Sequence, residues 1–438
     1  MRLLLLTLLL LTASRPATAT GPLKLDGPTM GTYYSIVVDS PNDKLTSEDL
    51  QSKVESRLAE INRQMSTWDS SSEISKFNQS TSTDWFEVSS EFAQVTAEAR
   101  RIHELTAKAF DPTVAPLIDL WGFGDRREQS IPDAAKITEA IKLTGMQYLT
   151  VRLDPPALKK SIAGLQLNLS AIAKGYAVDV IAELLTTEGL PSFVVDIGGE
   201  NRTGTAKATG DEWKLGVESP LGGLHRVVKL TQSAIATSGD YRNFFQIDGV
   251  SYSHAIDPTT GWPVRNPPAS VSVIHESCMT ADAWATAMMV LGAEQGVAIA
   301  EANNLSVMFQ SVADETITEN STGLFRAAVA DAAPVEVAEE SLENDETAVK
   351  EQPAAAPWFP FVAAAVIFLI AIAGMSIGTM LQNKSIKGSC GGLASMPGSE
   401  GKSICELCTI PKNECTNTEL REMMQAAAAN KQCEDHDA

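Results

Sequence analysis

The chain has 438 residues, 44% of them hydrophobic and 20% charged, which is enough for two domains and a sizeable core. Its formal net charge of -21 excludes the basic surface that a nucleic-acid partner requires. Part of that charge is local, since Asp331 to Glu351 is an acidic run.

Met1-Arg2, the apolar stretch Leu3 to Leu11 and Ala17-Thr18-Ala19 together read as a secretory signal peptide over 1–19. The apolar stretch is too short to span a bilayer, so cleavage near Ala19 and export of the body are expected. Leu25 to Val38 reads as a turn followed by a β-rich run, the first strand of the exported domain. Thr46 to Met65 reads as a helix capped by Thr46 and Asp49, with Leu50, Val54, Leu58 and Ile61 forming its buried stripe. Trp68 follows on a polar loop, where it serves either the core or a ligand. A second amphipathic helix, Ser90 to Lys108, buries Phe92, Val95, Ala99, Ile102 and Leu105 and delivers the chain to Ala109-Phe110-Asp111-Pro112-Thr113.

Leu165 to Asp179 alternates and then turns helical through Leu185, with Gly189 as its C-cap. That strand-turn-helix order suits a phosphate, and it places Lys174 near the helix start. Phe193 to Ile197 reads as a buried strand entering the Gly198-Gly199 turn, and Trp213 to Glu218 as another strand.

Ser238 to Thr286 gathers the densest chemistry. His254 stands at a strand end before the Pro258 to Pro263 turn cluster, and Ala269 to Ile274 alternates as a strand. Met279 to Gly292 reads as a helix with Thr280 as candidate N-cap. Asp282 and Thr286, four apart, share one of its faces. Both are hard oxygen donors of the kind Mg2+ accepts, although an aspartate near a helix start is more commonly there to complement the helix dipole. His254 has a side chain suited to proton transfer near neutral pH, and a structural role is the ordinary alternative.

From Ala327 to Pro357 the composition becomes that of a flexible linker, and the uncharged segment 358–382 is long enough to cross a membrane. Lys384 and Lys387 follow it, so the positive-inside rule puts the tail, 383–438, in the cytoplasm. Cys278 is the single cysteine of the exported part. Cys390, Cys405, Cys408, Cys415 and Cys433 fall in the tail, where Cys-x-x-Cys spacing reads as a metal or redox site.

In this order, the segments resemble the FAD:protein FMN transferases, bacterial periplasmic flavin-attaching enzymes, over about Leu25 to Val312. The resemblance is carried by Thr29-Met-Gly-Thr32, Met65-Ser-Thr-Trp68, Phe110-Asp-Pro-Thr113, Ile172-Ala-Lys-Gly-Tyr176, Val195-Asp-Ile-Gly-Gly199, Ser238-Gly-Asp-Tyr-Arg-Asn243, Ser253-His254-Ala-Ile256-Asp-Pro258 and Ala281-Asp282 with Thr286. It implies an FAD site of Met30, Trp68, Ala109, Phe110, Asp111, Asn168, Lys174 and Ile256, with Mg2+ on the Ala171 carbonyl, Asp282 and Thr286. Asn168 stands where the family has Asp, which turns a carboxylate contact into an amide contact. The implied reaction is attack by a threonine hydroxyl on the FMN-side phosphorus of FAD, with AMP leaving and His254 as base. The alternatives are an Mg2+-dependent FAD pyrophosphatase and a non-catalytic, membrane-anchored flavin-binding or metal-chaperone protein.

The segment from about Phe359 to Cys415 resembles the small maturation protein of the Na+-translocating NADH:quinone reductase, which is thought to help supply iron to that complex. An iron or zinc site on Cys390, Cys405, Cys408 and Cys415 follows from that resemblance, as do client subunits of the same reductase. The expected domain order is a signal peptide, a transferase domain over 20–326, an acidic linker over 327–357, a membrane helix and the tail. The transferase domain is expected to be α+β, with mixed, mainly antiparallel sheets and packed helices, on the periplasmic side of the bacterial inner membrane.

Overall fold

The computed structural model describes residues 21–39, 45–124, 129–239, 244–247 and 250–326. The signal segment, the linker at 327–357, the apolar segment at 358–382 and the tail with its cysteines lie outside the described residues.

The chain enters through a hairpin, β1 (Leu23–Thr29) and β2 (Thr32–Val38). Gly27-Pro28 lies within β1, the sheet's edge strand, where proline's missing N–H is tolerated. The turn is Met30-Gly31, both with positive φ (49° and 72°), the left-handed pair that a two-residue hairpin demands. α1 (Ser47–Met65) matches the expected helix. Thr46 caps it by accepting from Asp49 N, and Leu50, Val54, Leu58 and Ile61 are buried. α2 (Glu73–Gln79) and α3 (Ser90–Leu105) follow. Phe92, Val95, Ala99 and Ile102 of α3 are buried, whereas Leu105 in its last turn is exposed.

The smaller elements come next in two groups. β3 (Phe86–Glu87), β4 (Leu149–Leu153) and β5 (Pro156–Lys160) form a small sheet, while α4 (Ala115–Trp121) and α5 (Ala134–Lys142) pack together. Leu165, Leu167 and Leu169 alternate and are fully buried, yet this stretch is not a sheet strand. Side-chain and loop atoms bond its backbone instead: Asn78 donates to Leu167 O and accepts from Leu167 N, both at 2.8 Å, and Asn168 N donates to Pro112 O. Lys160, buried with its ammonium on Phe77 O and Leu165 O, ties α2 to the same stretch.

α6 (Ala173–Thr187) then runs into β6 (Phe193–Ile197), β7 (Glu200–Thr203), β8 (Trp213–Glu218), β9 (Leu224–Leu230) and β10 (Ala234–Gly239). β11 (Phe244–Ile247) and β12 (Val250–Ser253) form a hairpin, and β13 (Ser270–His275), α7 (Cys278–Ala302), β14 (Ser306–Ala313) and β15 (Thr316–Ser321) close the domain. Eight strands form the main sheet in the order β1-β2-β6-β7-β10-β13-β14-β15, each described pairing antiparallel. The expected α+β class holds.

α6 and α7 cover this sheet and touch each other. α7 is long and apolar enough to cross a membrane by length and composition, but it is packed into the domain core. It starts one residue before the expected Met279 and its N-cap is Ser277, not Thr280: Ser277 Oγ accepts from Thr280 N, while Thr280 Oγ1 donates to Glu98. Its helical geometry breaks at Gly292.

Two carboxylates lock the helices together. Asp179 of α6 accepts from Cys278 N (2.9 Å) and Met279 N (3.0 Å) at the start of α7, and from Ser277 Oγ and Arg202. Asp282 of α7 accepts from Gly175 N (3.0 Å) in the first turn of α6, which has no side-chain cap of its own. A Cβ at position 175 would lie 2.3 Å from Cys278 O, so only glycine permits this approach. Replacing Asp179 with Ala strands Arg202 and two helix-start N–H groups. It is expected to cost about 3 kcal/mol of stability, read by urea unfolding followed through tryptophan fluorescence.

Candidate active site

A cavity of about 990 Å³ opens between the α6–α7 junction, the 165–172 stretch, the Gly198-Gly199 turn and the α4 region. That volume lies at the upper end of the range for ligand pockets and suits a dinucleotide. Trp68, Ala109, Phe110, Asp111, Asn168, Ala171, Lys174, His254, Ile256, Asp282 and Thr286 all line it. Met30 does not: it sits in the β1–β2 turn against the core, and its neighbours Thr32 and Tyr33 reach the cavity instead.

Trp68 is 65% exposed, so it is no core tryptophan. Its loop is a knot of local hydrogen bonds, with Ser72 Oγ on Ser66 O and Asp69 Oδ1 accepting from Ser71, which holds the indole at the rim. On the next wall, Asp111 is buried and accepts from Thr113 N and Oγ1 through Oδ1. Burial raises its pKa, while these bonds and His103 oppose the rise. Asn168 Oδ1 accepts from Ser170 N (2.9 Å), so its amide N–H₂ group is the part left for a ligand. An aspartate there would present a charge, and Asn168 presents a donor.

His254 follows β12 directly, and its ring lies edge-on to Phe123, 6.4 Å between centroids. The segment is braced from behind. Tyr252 stacks on Trp121 and Phe245, Trp121 Nε1 donates to Gly261 O, and the backbone of Asp257 and Val264 closes the turn after Ile256. Ile256 is buried in that aromatic cluster with part of its surface on the cavity.

The floor carries the charge. Lys174, on the first turn of α6, forms an ion pair with Glu200 Oε1, at the start of β7. Burial works against the Lys174 ammonium, yet Asp282 and Glu200 outweigh it and raise its pKa. Burial also raises Asp282, against the pull of Lys174 and the Gly175 N–H. Glu200 is 2% exposed, and burial, with repulsion from Asp282, pushes its carboxyl up to about 8 in spite of Lys174. Its Oε2 is buried without a hydrogen-bond partner. Thr286 Oγ1 lies 3.2 Å from Ser238 Oγ.

Asp282, Thr286 and the Ala171 peptide line the floor as hard oxygen donors, and they fit a divalent cation such as Mg2+. Among the described residues no cluster of three or more His, Cys, Asp or Glu forms a ready metal cage. An ion here would therefore use peptide, hydroxyl and ligand oxygens as well, which is how Mg2+ is usually held. The α6 start adds its dipole to Lys174 and favours anions at the same floor. Glu200, Asp179 and Asn78 were not singled out from sequence. The one cue for Glu200 was its place directly after Gly198-Gly199.

The ApbE family model matches residues 30–309. The chain belongs to the ApbE family. A Vibrio cholerae relative named FAD:protein FMN transferase is 42% identical over 306 residues, covering 69% of this chain and 91% of its own length. A Haemophilus influenzae relative of the same name is 35% identical, covering 69% and 90%. The solved flavin transferase ApbE from Vibrio cholerae superposes with a TM-score of 0.65 at 41% identity, over 70% of this chain and 98% of that one. The Pseudomonas stutzeri flavinyl transferase ApbE, in apo form, gives 0.65 at 36%, over 70% and 96%. A second family model, (Na+)-NQR maturation NqrM, matches residues 379–429. That match starts and ends later than the Phe359 to Cys415 segment and takes in Cys390, Cys405, Cys408 and Cys415.

Glu200 gives the site a pH signature. Its pKa is raised from 4.5 to about 8, so the folded protein holds a proton that the unfolded chain releases. Its contribution is therefore present below about 4.5 and is lost as pH rises to about 8. In EDTA, the wild-type melting temperature should fall relative to that of Glu200→Gln across this window, and parallel curves would contradict the assignment.

Proposed function

We propose that the domain transfers FMN from FAD to a threonine hydroxyl of an acceptor protein. One observation carries this reading: in an ApbE-family chain, a single cavity joins an anion-favouring helix start and Lys174 to Asp282 and Thr286 on its floor, with His254 on its wall. The cavity lining sorts into roles by chemistry. Trp68 and Ile256 offer flat and apolar surface to the flavin, while Phe110, Asp111 and Ala109 shape the opposite wall. Asn168 donates from its amide, and Lys174 with the α6 start receives the pyrophosphate. Ala171, Asp282 and Thr286 would hold Mg2+, which when bound neutralises the pyrophosphate and the charge developing on the leaving group.

The threonine oxygen forms its bond to the FMN-side phosphorus, the bond from that phosphorus to the AMP oxygen breaks, and AMP leaves with the electron pair. The hydroxyl proton passes to His254, whose position after the braced β12 strand keeps the ring on the cavity wall. The aromatic cluster behind Ile256 keeps water from that side.

The match to the NqrM model over 379–429 supports a further reading of the whole chain. The transferase domain lies on the periplasmic side of the bacterial inner membrane, anchored by 358–382. Its clients are subunits of the Na+-translocating NADH:quinone reductase. The tail binds iron or zinc on Cys390, Cys405, Cys408 and Cys415 and assists the same complex's iron site.

Full-length protein in detergent, given FAD, Mg2+ and an acceptor subunit, should add the mass of FMN to that subunit and release AMP in equal amount. Free FMN with an unmodified acceptor would indicate a pyrophosphatase, and unchanged bound FAD a binding protein. His254→Ala should keep FAD affinity and lose transfer by about 10² to 10⁴-fold, the usual share of a general base. Cells carrying Cys405→Ser with Cys408→Ser should retain flavin on the reductase subunits but assemble a complex poor in iron. Unchanged iron content in the isolated complex would contradict the tail's role.

A further inference from the structure

Three charged side chains meet at the cavity floor, and their pairing is unequal. Lys174 is bonded to Glu200, while Asp282 is bonded to the backbone N–H of Gly175, the residue after Lys174. Both carboxylates act on the lysine electrostatically. Lys174 is the long, flexible member, and an ammonium on such a stem turns toward whichever buried carboxylate is available. Glu200 itself is held by the sheet, because it opens β7 directly after the Gly198-Gly199 turn and pairs across it with Ile197. Its second oxygen, buried and unpartnered, has no other described group to satisfy.

We infer that Glu200 is a positioning residue that holds the Lys174 ammonium away from Asp282, so that Asp282 stays open to a divalent cation. This rests on the reading of Asp282 as a cation ligand. Without Glu200, the lysine has one buried carboxylate left to pair with, and it becomes a built-in competitor for the ion. With Glu200 in place the floor is divided: the ammonium stands on the β7 side for the phosphates, and the Asp282 carboxylate on the α7 side for the cation. The two charges still act on each other, but the ammonium's bond is to Glu200.

The test is direct binding of manganese, added alone to the full-length protein in detergent and followed by loss of the free-ion electron paramagnetic resonance signal. The component abolished by Asp282→Ala is the one that counts. Measured at pH 8.5, where Glu200 is ionised, Glu200→Gln should weaken that component by about tenfold or more, the effect of one charge-assisted bond redirected onto the ligand. Lys174→Met added to Glu200→Gln should restore binding to at least the wild-type level, because the competitor is gone. A Glu200 that merely supported the fold would give no such rescue. Unchanged manganese affinity in Glu200→Gln, or no recovery in the double variant, overturns the inference while leaving the cation site standing. Wild-type binding indifferent to Asp282→Ala would overturn the cation site itself, and the proposed division with it.

Discussion

Two helix starts that cap each other hold the site together. Asp179 on α6 satisfies the first N–H groups of α7, and Asp282 on α7 satisfies an N–H in the first turn of α6. Each carboxylate sits where the partner helix's dipole favours negative charge, so the exchange is electrostatically sound despite burial. The cost appears as a close backbone approach that only Gly175 allows. Remove the exchange and Lys174, Ala171, Asp282 and Thr286 lose their common frame, since the first two belong to the start of α6 and the last two to α7.

That frame explains why the cavity floor is both anion- and cation-friendly without contradiction. In the proposed reaction the α6 start and Lys174 would face one part of a pyrophosphate, and Asp282 would face the ion that a pyrophosphate brings with it. The long antiparallel sheet supplies the rigidity, because β7 and β10 carry Glu200 and Ser238 to the same floor. The opposite wall is built differently. It consists of loops fastened by local bonds, such as the 66–72 knot under Trp68 and the Asn78 clamp on Leu167. Floor precision and wall adaptability suit a reaction in which the phosphorus must be placed closely and a second macromolecule must reach it.

Much of this was legible in the sequence where one physical signal dominated. The α1 stripe and Thr46 cap, the strand-end position of His254 and the shared face of Asp282 and Thr286 follow from periodicity and spacing. Asp282 lines the cavity and complements a helix start, but that of the partner helix α6 and not its own. Other features were hidden because two causes share one pattern. Leu165, Leu167 and Leu169 alternate like a strand, but Asn78, Pro112 and Lys160 satisfy the neighbouring backbone in place of a sheet. Glu200 looks like a surface residue after a glycine turn, and only the tertiary fold buries it against Lys174. Of the flavin- and Mg2+-site residues that the resemblance named, all but Met30 line the cavity, and the motifs carried no information on the bonds that hold them.

The account stands or falls on where the ion binds. Crystals of the protein grown with FAD and manganese, measured at the manganese absorption edge, would locate it without reference to activity. The account predicts a single strong anomalous peak at the α6–α7 floor, bonded to Ala171 O, Asp282 and Thr286 at about 2.1 Å, the distance expected of a magnesium-like ion. A peak elsewhere in the cavity, or bound FAD with no peak between those three residues, would contradict it.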